Sequence, residues 1–431
     1  MAEHSGRNGA EPEYLKRATH DAARDLADVS GPVRDILDVV AESGEASVRS
    51  YAAEFDGWDG EIVLSREARD AAIAQVSQSD RELIAFAHDN IRRFAEKQRA
   101  SLTDFETELR PGLIAGQKQI PVSAAGCYVP GGRYAHIASA LMTITTARAA
   151  GVGHVTACSP PGRGAGIPPG IVYAMDLAGA DVILNLGGVQ AVAAMAQGLF
   201  GTPPADIIAG PGNQFVAEAK RILFGSVGID MVAGPTDSLI LADDGVDAER
   251  VAVDLVSQAE HGANSPVWLV TDSRDLAEAV MARVPDLIAD LPEPNRGAAE
   301  AAWRDYAEVI LCAGREEMAA VSDDYAPEHL SVFCRDLDWW LGRLRAYGSL
   351  FLGPETTVSF GDKASGPNHV LPTNRAARYT GGLSVGKFLK TVTWQRGTVE
   401  GYRPVAEATA RISRMEGMEG HARAADLRLG G

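Results

Sequence analysis

The chain has 431 residues, with 40 Lys and Arg against 58 Asp and Glu, which gives a formal net charge of −18. This length is sufficient for two domains, each with its own core. Hydrophobic residues make up 46% and charged residues 23% of the chain, a composition typical of globular proteins that excludes disorder as the dominant state. The negative charge disfavours nucleic acids and anionic membrane surfaces as partners.

The sequence also indicates a compartment. No apolar stretch reaches the roughly 18 residues of a membrane-spanning helix, and the N-terminus lacks the apolar core of a secretory signal. None of the four cysteines is spaced as C-x-x-C, so we expect buried free thiols in a reducing environment. These features predict a cytoplasmic protein. The cysteines are Cys127, Cys158, Cys312 and Cys334.

The N-terminal quarter has helical periodicity. Residues 14–55 and 65–108 are predicted to be helical, and in 80–98 the apolar side chains recur on one face. From about residue 115, short β-branched runs alternate with helical stretches, and this rhythm lasts to Leu383, after which a helical tail is expected. An alternating βα order predicts an α/β fold with parallel sheets covered by helices. The predicted strands are 120–129, 154–158, 182–184, 206–208, 238–242, 267–270, 310–311 and 330–333, and the helices between them are 137–150, 168–178, 189–198, 213–223, 247–260 and 276–284.

Four glycine-rich turns adjoin predicted strands, at 126–132, 187–190, 210–213 and 234–237. Ligands of open α/β sheets bind at the carboxyl ends of the strands, and glycine lets the backbone approach a phosphate. Tight-turn geometry alone is the alternative explanation for each of them. Their recurrence at successive strands favours a ligand-binding edge.

Histidines and carboxylates form a second pattern in the C-terminal half. Gln258 and His261 are neighbours on one helix face, and Glu328 and His329 form an adjacent acid–imidazole pair. Asp362 and His421 lie in two further polar motifs, at 361–369 and 416–421. Zinc accepts such nitrogen and oxygen ligands. Spacing alone leaves open that each histidine is a capping or surface residue.

Taken in order, the motifs resemble the histidinol dehydrogenase family from about residue 30 to His421. The matching stretches are GCYVPGG, LMTITTARAAGV, GGVQAVAA, GPGNQFVAEAK, IDMVAGPTD, SQAEH, APEHL, GDKASGPNHVLPT and EGMEGH.

The resemblance implies two Rossmann-like domains in a homodimer with swapped tails, with NAD and one zinc ion at each site. It also implies oxidation of a primary alcohol through an aldehyde to a carboxylate, with two NAD consumed. On this basis we expect an N-terminal helical segment at 1–22, a first domain from 23–127 and 238–383, a second domain at 128–237 and a crossing tail at 384–431.

By motif, the resemblance also assigns residues to roles. Those matching zinc ligands are Gln258, His261, Asp362 and His421, and those matching the catalytic pair are Glu328 and His329. Those matching NAD contacts are Tyr128, Gln190 and Asn213. Those matching substrate contacts are Thr236, Gln258, His261, His329, Asp362, Glu416 and His421.

The sequence departs from the histidinol-specific pattern in places. GPTD stands at 234–237 where GPSE is usual, and GDK at 361–363 where GDY is usual. These features resemble the sulfopropanediol 3-dehydrogenase branch, which oxidises (R)-2,3-dihydroxypropane-1-sulfonate to sulfolactate. Lys363, Arg133 and His136 suit an anionic substrate. The alternative for these three residues is that they are solvated loop charges. The alternatives for the protein are a true histidinol dehydrogenase and a non-catalytic paralogue.

Overall fold

The computed structural model describes residues 11–22, 28–131, 135–162, 164–232 and 234–430. The strands within these ranges are β1 Glu13–Lys16, β2 Phe105–Arg110, β3 Leu113–Pro121, β4 Ala124–Tyr128, β5 His154–Ser159, β6 Val182–Asn185, β7 Ile207–Ala209, β8 Gly228–Ile229, β9 Ser238–Ala242, β10 Val267–Thr271, β11 Glu308–Leu311, β12 His329–Phe333, β13 Ser349–Leu352 and β14 Leu389–Gly397.

Helices cover both faces of the sheets and form the tail. The α-helices are α1 Ser30–Ser43, α2 Glu45–Tyr51, α3 Arg66–Ala74, α4 Gln78–Ser101, α5 Ile137–Ala150, α6 Pro169–Ala178, α7 Gly188–Gln197, α8 Gln214–Leu223, α9 Ala248–Ala259, α10 Arg274–Ala289, α11 Asn295–Asp305, α12 Arg315–Tyr325, α13 Leu337–Arg343, α14 Val358–Gly361, α15 Val399–Met415 and α16 Glu419–Asp426. Shorter turns are a π-helical turn at Ala52–Asp56 and 3₁₀ turns at Ala376–Arg378, Val385–Phe388 and Leu427–Leu429.

The first sheet is parallel throughout, in the order β6-β5-β4-β7-β8. Successive side chains of a strand point to opposite faces, so Cys127 enters a core with α4, α5 and α6, whereas Tyr128 enters a core with α1, α2, α7 and α8. This arrangement buries both faces of the sheet, as expected for parallel strands.

The second sheet has the order β1-β11-β10-β9-β12-β13. Its strands are parallel except for β1, which pairs antiparallel with β11 at the edge. One face packs on α9, α10 and α11 and the other on α12 and α13. The predicted α/β class with two parallel sheets is therefore confirmed.

A third sheet of three antiparallel strands, β14-β3-β2, leads into the tail helices α15 and α16. None of the helices in the described ranges combines the length and apolarity needed to traverse a lipid bilayer. All four cysteines are buried and unpaired, as predicted.

Several elements match the sequence prediction, and others correct it. The helix Ile137–Ala150 and the strand Ser238–Ala242 have the predicted bounds. The helical assignments of 14–16 and 105–108 are wrong, because these residues belong to β1 and β2. The tail is not wholly helical either, since β14 precedes its helices. Every residue of β2 is exposed, so this strand has no buried alternation that could reveal it.

The expected domain boundaries also differ from the packing. Of the segment 1–22, the described part contains β1 rather than a helix. The expected first domain joins residues 23–127 to 238–383, which form most of the second sheet, but α1 and α4 pack on the first sheet. The expected boundary between 127 and 128 falls inside β4. The apolar periodicity of a helix predicts which of its faces is buried, but it does not predict which sheet that face packs against.

A buried ion pair stabilises the turn that follows β7. Lys220 and Asp230 are paired with side chains only 3% and 0% exposed. Lys220 Nζ also donates to the Gly210 carbonyl over 3.0 Å, and Asp230 accepts the Gly210 N–H over 2.7 Å. Gly210 has a φ of +124°, and a Cβ there would lie 2.0 Å from the Tyr128 carbonyl oxygen. The pair therefore fixes a backbone turn that only glycine can form.

We predict that Lys220→Met lowers the free energy of unfolding by roughly 3–5 kcal/mol, because Asp230 would stay buried without its partner. Chemical denaturation measures this loss. The matched control is Arg221→Met, which removes an exposed pair with Glu218 and should cost less than about 1 kcal/mol. Equal losses for the two variants would contradict the assigned role.

Candidate active site

The candidate site lies where two sheet edges approach each other. The turns after β4, β6 and β7 lie at the carboxyl edge of the first sheet, as predicted. The predicted catalytic pair, Glu328 and His329, instead lies at the amino edge of the second sheet, because His329 begins β12 and pairs in register with Ser238 at the start of β9. The residues 361–374 bridge the two edges, since Asn368 Nδ2 donates to the Met142 carbonyl of α5 over 3.0 Å.

The acid–imidazole pair is buried at this junction. Glu328 and His329 are 6% and 3% exposed, and 3.6 Å separates Glu328 Oε1 from His329 Nε2. Burial, with Asp237 and Asp362 nearby, raises the pKa of Glu328 well above its usual range. Burial lowers the pKa of His329 to about 4, so its imidazole is neutral at neutral pH. His329 Nδ1 has no hydrogen-bond partner among the described residues.

Asp237, the last residue of the GPTD turn, holds this pair in place. Its Oδ1 accepts the Glu328 N–H over 2.6 Å, and its own N–H donates to Glu328 Oε2 over 3.3 Å. Its Oδ2 accepts the Asn374 N–H over 3.2 Å, and its carbonyl accepts the His329 N–H over 3.2 Å. Thr236 adds a side-chain hydrogen bond to Glu328. Asp237 thus joins three loops around the catalytic pair.

Two of the four predicted metal ligands, His261 and Asp362, lie close enough to this pair to influence its pKa values. Gln258 lies in the last turn of α9, His261 follows two residues after the helix ends at Ala259, and Asp362 follows α14. His261 Nε2 lies 3.8 Å from Asp362 Oδ2. Gln258 Oε1 is buried and has no partner in the described part of the chain. An orphaned amide oxygen beside an imidazole and a carboxylate fits the oxygen and nitrogen preference of zinc.

The remaining predicted ligand is not brought to this place. His421 lies on the exposed side of α16 and lines a surface groove with Tyr402 and Arg428. Glu416 is likewise exposed at the end of α15. Within the described ranges, no cluster of three or more His, Cys, Asp or Glu side chains could hold a metal ion. One chain therefore presents three candidate ligands and keeps the fourth on its tail.

His369 is a site residue to which sequence reasoning gave no role. It lines a cavity of about 330 Å³ together with His329 and Asp362. One ring nitrogen lies 3.0 Å from the Asp362 carbonyl and the other 3.0 Å from Ser139 Oγ of α5. Its position in the Asp362 motif was the available signal. The ring connects the metal-ligand loop to α5.

Two of the three residues suggested for an anion can be placed. Lys363 is exposed and forms no ion pair with any described residue. His136 precedes α5, and its pKa is lowered to about 4 by burial, with further contributions from His369, Lys363 and His261. Lys363 and His136 therefore lie within electrostatic reach of each other and of His369, which lines the cavity. Arg133 lies outside the described residues.

The three predicted NAD contacts share one cavity of about 920 Å³. Tyr128 accepts the Gly188 N–H on its hydroxyl over 3.1 Å. Asn213 caps α8, accepting the N–H groups of Phe215 and Val216. Gln190 is buried and donates through Nε2 to Asp56, a residue that the sequence motifs did not single out. Glycine turns at a sheet edge beside a helix N-terminus suit a dinucleotide.

Comparison with known proteins agrees with this geometry. The pattern of the family described as histidinol dehydrogenase matches residues 19–429. The chain belongs to the histidinol dehydrogenase family. It is 66% identical over 417 residues to the sulfopropanediol 3-dehydrogenase of Ruegeria pomeroyi, covering 97% of this chain and 96% of that protein. It is also 69% identical over 405 residues to a histidinol dehydrogenase homolog of the same organism, covering 94% and 93%.

A solved structure supports the fold as well. The crystal structure of histidinol dehydrogenase from Elizabethkingia anophelis superimposes with a TM-score of 0.89 at 33% identity, covering 94% of this chain and 93% of that one. The predicted family and the prediction that the protein is a dehydrogenase are therefore confirmed.

The pKa of the buried Asp237 carboxyl group can be tested through protein stability. Burial raises the pKa of Asp237 to about 7, whereas an unfolded aspartate titrates near ~3.9. Between these values the folded state binds more protons, so the Asp237 contribution to stability falls as the pH rises from about 4 to about 7. We predict that the unfolding free energy of wild type falls relative to that of Asp237→Asn, by up to about 1.4 kcal/mol per pH unit, between pH ~5 and ~7.

Denaturant titrations at several pH values measure this difference. Replacing the exposed Asp338 by Asn is the control and should leave the pH profile unchanged. A constant offset between wild type and Asp237→Asn would reflect only lost hydrogen bonds. Parallel profiles would therefore refute a raised Asp237 pKa.

Proposed function

We propose that the protein oxidises (R)-2,3-dihydroxypropane-1-sulfonate to sulfolactate through an aldehyde, with two NAD consumed. The observation that carries the proposal is the meeting of the buried pair Glu328 and His329 with His261 and Asp362. Lys363 and His136 lie close enough to His369 of the same cavity to interact with it electrostatically. The likeness to the sulfopropanediol 3-dehydrogenase of Ruegeria pomeroyi supports this choice of substrate. Histidinol oxidation to histidine is the competing function.

The catalytic pair would act as proton acceptors. His329 is uncharged at neutral pH because burial lowers its pKa to about 4, so it can take the hydroxyl proton of the alcohol. The ionised form of Glu328 would then activate the water that hydrates the aldehyde; the same raised pKa that disfavours this form makes it a stronger base. Asp237 fixes the relative positions of Glu328 and His329 by hydrogen bonding to the backbone N–H of each.

NAD and zinc are the proposed cofactors. When bound, NAD would supply a hydride acceptor for each oxidation, and zinc would supply a Lewis acid for the alcohol oxygen. Tyr128, Gln190 and Asn213 would hold the dinucleotide in the 920 Å³ cavity. Gln258, His261 and Asp362 would hold the metal, with Thr236 beside the substrate.

Lys363 and His136 would receive the sulfonate. A sulfonate is a permanent anion with three acceptor oxygens, so the Lys363 ammonium would compensate its charge and the neutral His136 imidazole would add a hydrogen bond. Lys363 stands directly beside the ligand Asp362, so the anion and the reacting alcohol would occupy neighbouring positions.

The fourth ligand would come from a second copy of the chain. The tail exposes large apolar side chains, with Val399 67%, Met415 80% and Leu427 76% exposed. Exposed apolar clusters of this kind mark protein contacts. In a homodimer with exchanged tails, His421 and Glu416 of each chain would complete the site of the other.

The substrate assignment predicts a defined stoichiometry. Purified protein with zinc and NAD should form two NADH per molecule of sulfonate diol, measured by absorbance, with little activity on histidinol. His329→Asn should slow oxidation of the alcohol by about 10²–10⁴-fold. Glu328→Gln should spare this first step and slow oxidation of the supplied aldehyde.

Two results would count against the assignment. Activity on histidinol with none on the sulfonate diol would favour the competing function. Wild-type turnover of both variants in both half-reactions would remove the catalytic pair from the mechanism.

The exchanged tail predicts complementation between two inactive variants. His329→Asn and His421→Ala should each lack activity, but a mixed dimer contains one site with both lesions and one intact site. If equal amounts of the two variants are unfolded together and refolded, half of the dimers should be mixed, which restores about a quarter of wild-type activity. Mixing His329→Asn with Asp362→Asn is the control and should restore none. No recovery in the first mixture would show that the tail does not cross.

A further inference from the structure

A π-helical turn supplies two residues to the dinucleotide cavity. The turn spans Ala52–Asp56 and ends at Gly57, which adopts the left-handed conformation with a φ of 62°. Phe55 and Asp56 both line the cavity. Phe55 stacks on Tyr51 with ring centroids 5.3 Å apart, which fixes the direction of the turn. Such turns are rare and frequently lie at functional sites.

The Asp56 carboxylate orients a proposed cofactor contact. Its Oδ2 accepts the Gln190 Nε2–H and the Gly187 N–H, each over 3.1 Å. This bond uses one of the two Nε2 hydrogens of Gln190, so the oriented amide can offer its oxygen and its second hydrogen to a ligand. No described residue donates to Asp56 Oδ1, so this oxygen is available to a donor such as a ribose hydroxyl.

Asp56 is the one charged side chain among the described residues that line this cavity. The carboxylate is partly buried, and burial raises its pKa above the usual value. A second negative charge placed beside it would be repelled in a medium that screens less than water. Arg133 and Arg163, which lie near lining residues in the sequence, are outside the described residues.

The position of Asp56 points to one part of a dinucleotide. The Ala135 end of the cavity adjoins α5, which contacts the catalytic cavity through Ser139 and His369. The nicotinamide must lie at that end to react. Phe55 and Phe215 both line the cavity with exposed rings, 52% and 37% exposed, so each could stack against adenine. Asp56 directly follows Phe55, and hence lies near the adenosine ribose.

We propose that Asp56 is the specificity-determining residue by which this cavity takes NAD and rejects NADP. Its free oxygen would accept a hydrogen bond from the ribose 2′-hydroxyl, and its charge would repel a 2′-phosphate. Doubly wound folds commonly place an acidic residue at this hydroxyl for NAD, but here the acid comes from a helical turn outside the sheet. The inference rests on the proposed function, because it requires a dinucleotide in this cavity.

Binding of NADH and NADPH, measured by fluorescence titration of the zinc-loaded protein, tests this inference without turnover. Wild type should bind NADH at least about tenfold more tightly than NADPH, and Asp56→Asn should reduce this ratio at least about fivefold, mainly through tighter NADPH binding. Asp56→Glu retains the charge and should retain the discrimination. Asp59→Asn, an exposed acid outside the cavity lining, is the matched control and should behave as wild type.

The outcomes separate this inference from the function on which it rests. If wild type binds NADH but Asp56→Asn keeps the wild-type ratio, the role of Asp56 is refuted and the proposed function stands. If wild type binds neither dinucleotide, the proposed function fails and the inference fails with it. Melting temperatures establish that each variant is folded, and Asp56→Ser provides a second neutral variant if Asp56→Asn is not.

Discussion

Two carboxyl groups buried side by side determine the geometry of the site. Asp237 and Glu328 exchange backbone–side-chain hydrogen bonds at the start of two neighbouring parallel strands. Buried charges of the same sign repel each other, so such a pair is stable only when backbone donors compensate it or when it holds a proton. The N–H groups of Glu328 and Asn374 provide that compensation. His329, the proposed catalytic imidazole, follows Glu328 directly in the chain, so this pair also determines where His329 lies.

The two sheets contribute in different ways because they present opposite edges. The first sheet offers its carboxyl edge, where the predicted NAD contacts Tyr128, Gln190 and Asn213 line one cavity. The second offers its amino edge, which holds Asp237 and His329. His369 and Asn368 hydrogen bond to α5 of the first sheet while belonging to the loop that carries Asp362. This loop therefore connects α5 of the first sheet to the cavity that His329 and Asp362 line.

The local pattern of the chain predicted much of this, and the long-range contacts supply the remainder. The βα alternation predicted the parallel sheets, because buried strands and their covering helices have distinct apolar periods. It did not reveal that α1 and α4 pack on the first sheet, nor that exposed β2 and β14 form a sheet. Motifs indicated Gln258, His261 and Asp362, but not Asp56, whose role depends on a contact with Gln190, 134 positions away in the sequence. Such a contact has no signature in either segment alone.

The tail connects the chemistry to assembly. In the described part of one chain, the candidate metal site has three ligands, and Gln258 Oε1 remains buried without a partner. The tail meanwhile exposes Met415 and Leu427, and its link to the sheet domains is the antiparallel pairing of β14 with β3. Under the proposed exchange, docking on a second copy would bury these apolar side chains and deliver His421 to the metal in the same event. Association and metal binding would then be thermodynamically linked, so that each strengthens the other. A single chain could neither bury its exposed apolar tail nor complete its ligand set, because both depend on the same partner.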